Sequence, residues 1–331
     1  MTRLYNAGIL GTGRCLPERR MTNAEFEKIV ETSDEWIVKR TGIRERRIIE
    51  KDTPLSSIAV SAAKNALTDA NIKAEDLGMI IAATITPDYL TPSLSCMVQK
   101  ELGAVNAGAF DLNAACTGFI YALNVAQQYI QAGIHEYVLI VAAEALSRAT
   151  DFNDRKTCVL FGDGAGAVVV GRVANGEGIQ SFILGAMGEM GHHLTLPNFF
   201  ITEEDKEKRN SGMERVIWMD GSEVFAFASR IMSDATLQVL KNANKGIEDL
   251  TFIFPHQANS RILQNASKRL GIALERVYTN LEYTGNISSA SIPVCLDEAS
   301  EKKMLKKGDQ IVLVAFGGGL TYGAVLLTWS K

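Results

Sequence analysis

Three short stretches carry residue types that could do chemistry: a cysteine, Cys116 in NAACTGFIYAL, a histidine, His256 in PHQAN, and an asparagine, Asn286 in TGNISSAS. Cys116 follows the apolar stretch Gly108–Leu112, read as a strand, and opens a run with helical periodicity. Unsatisfied backbone N–H groups at a helix N-terminus favour thiolate over thiol, and the thiolate is the nucleophile. A lone cysteine is more often an inert small hydrophobe, so position alone does not decide its role. His256 comes directly after the apolar TFIF, at the strand end where α/β proteins build their sites, and Pro255 turns the chain there. Asn286 stands in a Gly-Asn pair, by itself an ordinary turn signal. Phe316-Gly317-Gly318-Gly319 follows the strand-like IVLVA, where glycines permit close backbone approach and a free N–H for an oxyanion.

An internal repeat supplies the elements that position these residues. NIKAEDLGMIIA from Asn71 lines up with NKGIEDLTFIFP from Asn244, 173 positions on. KELG at Lys100 echoes KRLG at Lys268, YVLIVAA at Tyr137 echoes QIVLVAF at Gln310, and GAVVVG at Gly166 echoes GAVLLT at Gly323. Buried α/β strands resemble one another, but that explains the strands and not the shared turns. The expectation is an α/β fold of two similar halves, 1–172 carrying Cys116 and 173–331 carrying His256 and Asn286. Strands are expected over 79–84, 137–142, 165–170, 252–254, 311–315 and 324–328, and helices over 57–70, 117–132, 223–243 and 261–270. In the second half, the place matching Cys116 falls after an expected strand at Val277–Leu281.

Other features read as structural. Gly11-Thr12-Gly13 leads to Pro17 and Gly162–Gly166 leads into a strand; neither opens a helix, so dinucleotide and phosphate-loop readings fail. The segment Phe199–Arg215, with its core TEEDKEKRNSG, reads as a solvated surface insertion. His135, His192 and His193 are taken as structural.

The chain has 331 residues, 47% hydrophobic and 22% charged, which suits a soluble globular protein of one or two domains. No apolar run is long enough to span a bilayer, and the glycine-broken N-terminus makes a poor signal peptide. Five scattered cysteines at 15, 96, 116, 158 and 295, with no C-x-x-C pair, argue against a disulfide framework or a zinc site and for the cytoplasm. The net charge of −4 argues against a general nucleic-acid binder.

Taken together, TSDEWIVKRTGIRER from Thr32, AFDLNAACTGFIYAL from Ala109, DRKTCVLFGDGAGA from Asp154, PHQANSRI from Pro255, GNISSASIP from Gly285 and AFGGGLTYG from Ala315 resemble β-ketoacyl-acyl carrier protein synthase III. The likeness covers essentially the whole chain. It implies the thiolase-like fold, two pseudo-symmetric α/β halves with mixed sheets in an α-β-α-β-α arrangement, and a homodimer. It implies condensation of an acyl-CoA with malonyl-acyl carrier protein through an acyl-cysteine, with no cofactor, metal, nucleic acid or membrane involved. By resemblance Cys116, His256 and Asn286 form the triad, and the backbone N–H groups of Cys116 and Gly318 the oxyanion hole. Phe316 matches an apolar shield against water. Trp36 and Arg155 match residues that sandwich the adenine of coenzyme A, Arg40 meets its phosphates and Asn259 also contacts it. Arg44, Arg46 and Arg47 are left as a solvated basic face.

Arg261 and Lys268 match basic positions used against the acidic carrier protein, while Ala226 stands where some relatives have lysine. Thr91 occupies the place of a phenylalanine that reaches the partner's acyl pocket in acetyl-preferring members; threonine leaves room for longer or branched primers. Ile287 replaces a residue often polar in relatives and bears on how Asn286 is held. Relatives that make 3-hydroxy-3-methylglutaryl-CoA, polyketides or quinolone precursors share the scaffold. A Cys-His thioesterase and a non-catalytic acyl-CoA-binding protein are readings of a different class.

Overall fold

A computed structural model describes residues 5–209 and 212–331. Met1–Leu4, the start of the stretch weighed as a signal peptide, and Asn210 and Ser211, within the charged segment, lie outside the described residues.

Valine- and isoleucine-rich runs build two sheets. The first has the order β1 (Asn6–Cys15), β5 (Asp163–Val173), β4 (Tyr137–Ala145), β2 (Met79–Ala83), β3 (Gly108–Leu112). The second runs β6 (Gly178–Ala186), β9 (Thr321–Thr328), β8 (Gln310–Gly317), β7 (Phe252–Pro255). The pairing sense repeats as well: from the first strand of each order, two antiparallel pairings are followed by a parallel one. The expected strand at Val277–Leu281 shrinks to one parallel bridge between Val277 and Ile253, and Leu281–Thr284 is a helical turn. Gln257 Oε1 accepts the Asn280 N–H and its Nε2 donates to the Tyr278 carbonyl, so a side chain satisfies backbone groups a ladder would have used.

Helices α2 (Leu55–Ala70) and α3 (Leu94–Leu102) cover the outer face of the first sheet, against Leu139 and Val141. Helices α4 (Gly118–Gln131) and α7 (Ser291–Glu301) lie between the sheets, against Val138 and Ile140 on one side and Ile311 and Leu313 on the other. Helices α5 (Gly221–Asn242) and α6 (Ser260–Leu270) cover the far face, against Val312 and Val314. Alternate residues of one strand thus enter different cores, as the two-residue strand period requires. The result is the five-layered α-β-α-β-α thiolase-like arrangement.

The Gly-Thr-Gly stretch lies inside β1, a strand the pattern did not delineate. A Cβ at Gly11 or Gly13 would come within 2.5 Å of the α2 backbone, so these glycines let helix and strand close up. Arg46 is a second correction: it is fully buried, donating to the Val159 carbonyl and Asn23 Oδ1 and stacking on Phe26. Its guanidinium satisfies groups no water reaches, and burial lowers its pKa to about 10. The solvated basic reading holds for Arg44, exposed and paired with Glu282 at 2.9 Å; Arg47 is half-buried and donates to the Pro17 carbonyl. In the charged segment, Arg209 is likewise buried, bonded to the Val216 carbonyl and to Thr195 Oγ1, so it pins an otherwise exposed helical turn to the body.

Candidate active site

Cys116, the expected nucleophile, rests on a turn whose backbone is set by a side chain. After β3, Asn113 Oδ1 accepts the Ala115 N–H at 3.2 Å, and Ala115 takes φ +47°, a left-handed conformation costly for a residue with a Cβ. The 3-10 turn Ala115–Thr117 then leads into α4. The second half repeats this device 173 positions later. Asn286 Oδ1 accepts the Ser288 N–H at 2.9 Å, Ser288 has φ +49°, and the turn Ser288–Ala290 leads into α7. Because Oδ1 is engaged, the free end of the Asn286 side chain is its NH2, a donor. Ile287 is fully buried in the central core, which anchors the turn by packing rather than by a polar contact.

His256 follows the last residue of β7, Pro255, which pairs with Val314. Its N–H donates to the Val314 carbonyl at 2.8 Å, its Nδ1 lies 3.3 Å from Ser291 Oγ, and its ring stands edge-on to Phe316 at 5.4 Å. It is 1% exposed, and burial pushes the imidazole down to about 3, so it is neutral across the working range. Two short segments join histidine and cysteine. In Asn286–Ser291, the Ser288 hydroxyl hydrogen-bonds the Cys116 sulfur while Ser291 reaches His256. In β8, Phe316 packs on His256, and a Cβ at Gly317 would lie 2.7 Å from Cys116 N. Cys116, His256 and Asn286, expected to act together, are therefore linked through shared neighbours on one segment.

The expected thiolate bias is not met in the resting protein. Burial pushes the Cys116 thiol up to about 12, outweighing its hydrogen bond with Ser288. The sulfur also feels Glu144, a carboxyl with no exposed surface at the end of β4. Glu144 Oε2 accepts from the Thr84 and Thr86 hydroxyls and the Ile85 N–H, and Oε1 from the Ser288 and Ser289 hydroxyls. Burial raises it to about 7 despite these donors.

A cleft of about 820 Å³ reaches the sulfur, lined among others by Cys116, Phe161, Ser288, Gly318, Tyr89 and Leu90. Cys116 and Gly318, the expected oxyanion pair, share it; His256, Asn286 and Phe316 do not line it. Thr91 is exposed beside Tyr89 and Leu90 at the rim. Away from this cleft, helix α1 (Asp34–Thr41) holds Trp36 between the guanidinium groups of Arg40 at 4.7 Å and Arg155 at 5.1 Å. Asn259 caps α6 by accepting the Arg261 N–H at 2.9 Å, and α6 begins where Gly42 ends α1. Arg261 and Lys268 are exposed on α6, Arg261 lying over Phe225, with Ala226 exposed nearby. His192 and His193 lie in the turn Gly188–His193, where the His193 carbonyl accepts the Asp220 N–H.

Sequence reasoning missed Glu144 and Ser288, and noted Gly317 only as one of three glycines. Carrying the 173-residue offset from Asn71 to Asn113 pairs Asn113 with Asn286 and Ala115 with Ser288, and a lone acid in VLIVAAEA marks Glu144. Among the described residues no helix is long and apolar enough to cross a membrane, and no group of three His, Cys, Asp or Glu side chains is arranged to hold a metal.

Residues 110–188 match the family described as 3-oxoacyl-[acyl-carrier-protein] synthase III, and residues 240–329 match its C-terminal region. The chain is 50% identical over 329 residues to the β-ketoacyl-[acyl-carrier-protein] synthase III of Caldanaerobacter subterraneus subsp. tengcongensis, covering 98% of each chain. Among solved structures it is similar to the β-ketoacyl-[acyl carrier protein] synthase III of Thermus thermophilus, with TM-score 0.92, 45% identity, and 98% of this chain and 99% of that one covered. It is also similar to a priming β-ketosynthase from a polyketide biosynthetic pathway, with TM-score 0.93 and 34% identity, covering 100% of this chain and 98% of that one.

Proposed function

The chain belongs to the 3-oxoacyl-[acyl-carrier-protein] synthase III family, and from that premise we propose how its residues carry out a decarboxylative condensation that starts fatty-acid synthesis. Cys116 attacks the carbonyl of an acyl-CoA; the C–S bond to coenzyme A breaks and an acyl-cysteine remains. The backbone N–H groups of Cys116 and Gly318 take the oxyanion of that step. Malonyl-acyl carrier protein then loses CO2, and the enolate oxygen accepts hydrogen bonds from His256 and the Asn286 NH2. A charge developing on an oxygen is stabilised by donors already in place, and a neutral imidazole donates without metal or cofactor. The carbon nucleophile attacks the acyl-cysteine and releases β-ketoacyl-carrier protein, while Phe316, buried against His256, keeps water from the enolate. The observation that carries this reading is the single segment Asn286–Ser291, which presents the amide, touches the thiol through Ser288 and holds the imidazole through Ser291.

The halves 1–172 and 173–331 then divide the work, the first supplying nucleophile and adenine site, the second the decarboxylation donors. We read Trp36, Arg40, Arg155 and Asn259 as the coenzyme A site, Arg261 and Lys268 as carrier-protein contacts, the assembly as a homodimer whose partner copy receives Thr91 at its acyl cleft, and the compartment as the cytoplasm. Intact-mass measurement after exposure to a panel of acyl-CoAs tests the scheme. The protein gains one acyl group, with butyryl- or isobutyryl-CoA acylating at least as fully as acetyl-CoA, and loses it when malonyl-carrier protein is added. Release of free acid without malonyl-carrier protein would instead mark a thioesterase. Replacing Trp36 by alanine raises KM for the acyl-CoA about tenfold, from loss of ~1–2 kcal/mol of stacking, and leaves kcat near the parent value. An unchanged KM would remove Trp36 from the site.

A further inference from the structure

The mechanism above leaves a buried carboxyl without a task. Glu144 lies at the seam of the two halves: Thr84, Ile85 and Thr86 hold one oxygen from the first half, Ser288 and Ser289 the other from the second. The Ser288 hydroxyl is shared, 3.2 Å from Glu144 Oε1 and in hydrogen-bond contact with the Cys116 sulfur. A hydroxyl has one proton and two lone pairs, so it can accept from a thiol while donating to a carboxylate, or the reverse. We propose that Glu144 is a positioning residue that takes the Cys116 thiol proton through Ser288 as the sulfur attacks, and returns it when the sulfur is released.

The steps balance. In acylation the Cys116 proton moves to Ser288 Oγ and the Ser288 proton to Glu144 Oε1. The sulfur bonds to the acyl carbon, the bond to coenzyme A breaks, and the departing CoA thiolate takes a proton from water. In condensation the carbon nucleophile displaces the sulfur, which recovers its proton from Ser288, and Ser288 from the Glu144 carboxylic acid. Such a relay answers the need of a thiol held well above its ordinary range by burial, next to a histidine too desolvated to serve as a base. Cys116 is the titratable side chain facing Glu144 from the nucleophile turn. From the second half come the Ser288 and Ser289 hydroxyls, and from the segment after β2 the Thr84 and Thr86 hydroxyls and a backbone N–H. Asp163, opposite Ala145 in the sheet, is bonded to Ser147 and the Ile49 N–H and feels Arg148. Glu144, raised to about 7, is ionised and able to accept above that pH.

The inference rests on Cys116 as the acylated residue. The test follows acylation of Cys116 by an acyl-CoA, by intact mass, across pH for the parent, Glu144→Gln and Ser288→Ala. Alanine suits position 288 because Ala115 holds the same left-handed φ in the sibling turn. The parent rate rises with pH through about 7 and levels off; both variants are slowed ~10²-fold and lose that inflection. A merely structural defect would lower the rate alike at every pH. If Glu144→Gln does not fold, Ser288→Ala alone decides. A folded variant that keeps the parent inflection overturns the relay, as does an inflection lost in His256→Ala but kept in Ser288→Ala. If a Cys116→Ala protein is acylated instead, the nucleophile assignment itself is what has failed.

Discussion

A Cys116→Ala protein gains no acyl mass from an acyl-CoA that acylates the parent chain, and its condensing activity falls by at least ~10³-fold. The expectation follows from the covalent step: without sulfur, the acyl group has nowhere to wait while malonyl-carrier protein binds and loses CO2. Fold is not at risk, because Cys116 sits on a turn rather than in a packed cluster and alanine fits the space its sulfur leaves. Decarboxylation separates the two half-reactions. His256 and Asn286 remain in place in this variant, so slow malonyl decarboxylation without condensation should persist. Acylation of the variant at parental yield would show that another residue is the nucleophile.

Replacing Gly317 by valine should lower kcat for acylation by ~10²-fold with little change in KM for acyl-CoA. A Cβ at this position meets Cys116 N at 2.7 Å, Cys116 Cβ at 3.0 Å and Cys116 Cα at 3.2 Å. These are atoms of the nucleophile turn, not the end of a flexible side chain, and Gly317 itself is held in register with Thr321. The turn must therefore move, shifting the thiol and the Cys116 N–H proposed to meet the oxyanion. The kinetic signature is opposite to that at Trp36, where binding changes and chemistry does not. Single-turnover acylation at saturating acyl-CoA reads the difference, and a folded variant acylating at the parental rate would show that the glycine is not there for close approach.

The repeat made the architecture legible because buried strands and their turns recur in the same order in both halves. Where it failed, side chains had replaced backbone pairing. Val277–Leu281 looked like a strand of the second half, but the Gln257 side chain binds the Asn280 N–H and the Tyr278 carbonyl. Cys116, His256 and Asn286 could be proposed together from residue types and resemblance. Their protonation could not, because the desolvation that raises Cys116 and lowers His256 comes from both halves closing over them. Arg46 shows the same limit: nothing in a run of arginines tells which one the fold will bury against Asn23 and Val159. Gly317 was noted only as one of three glycines; that it abuts Cys116 is a matter of register.

The seam at Glu144 also orders events in the life of the chain. Ser289 bonds to the Ala83 carbonyl across 206 positions, and Ser288 to Glu144 across 144. Contacts this distant in sequence form late in folding, after the local helices and hairpins, because closing long loops must precede any gain from them. A chain with only its first half folded has Cys116 but neither Ser288 nor His256 beside it. Chemical competence thus arrives with completion of the whole molecule, and a partly made or partly opened chain carries an ordinary thiol instead of a working one.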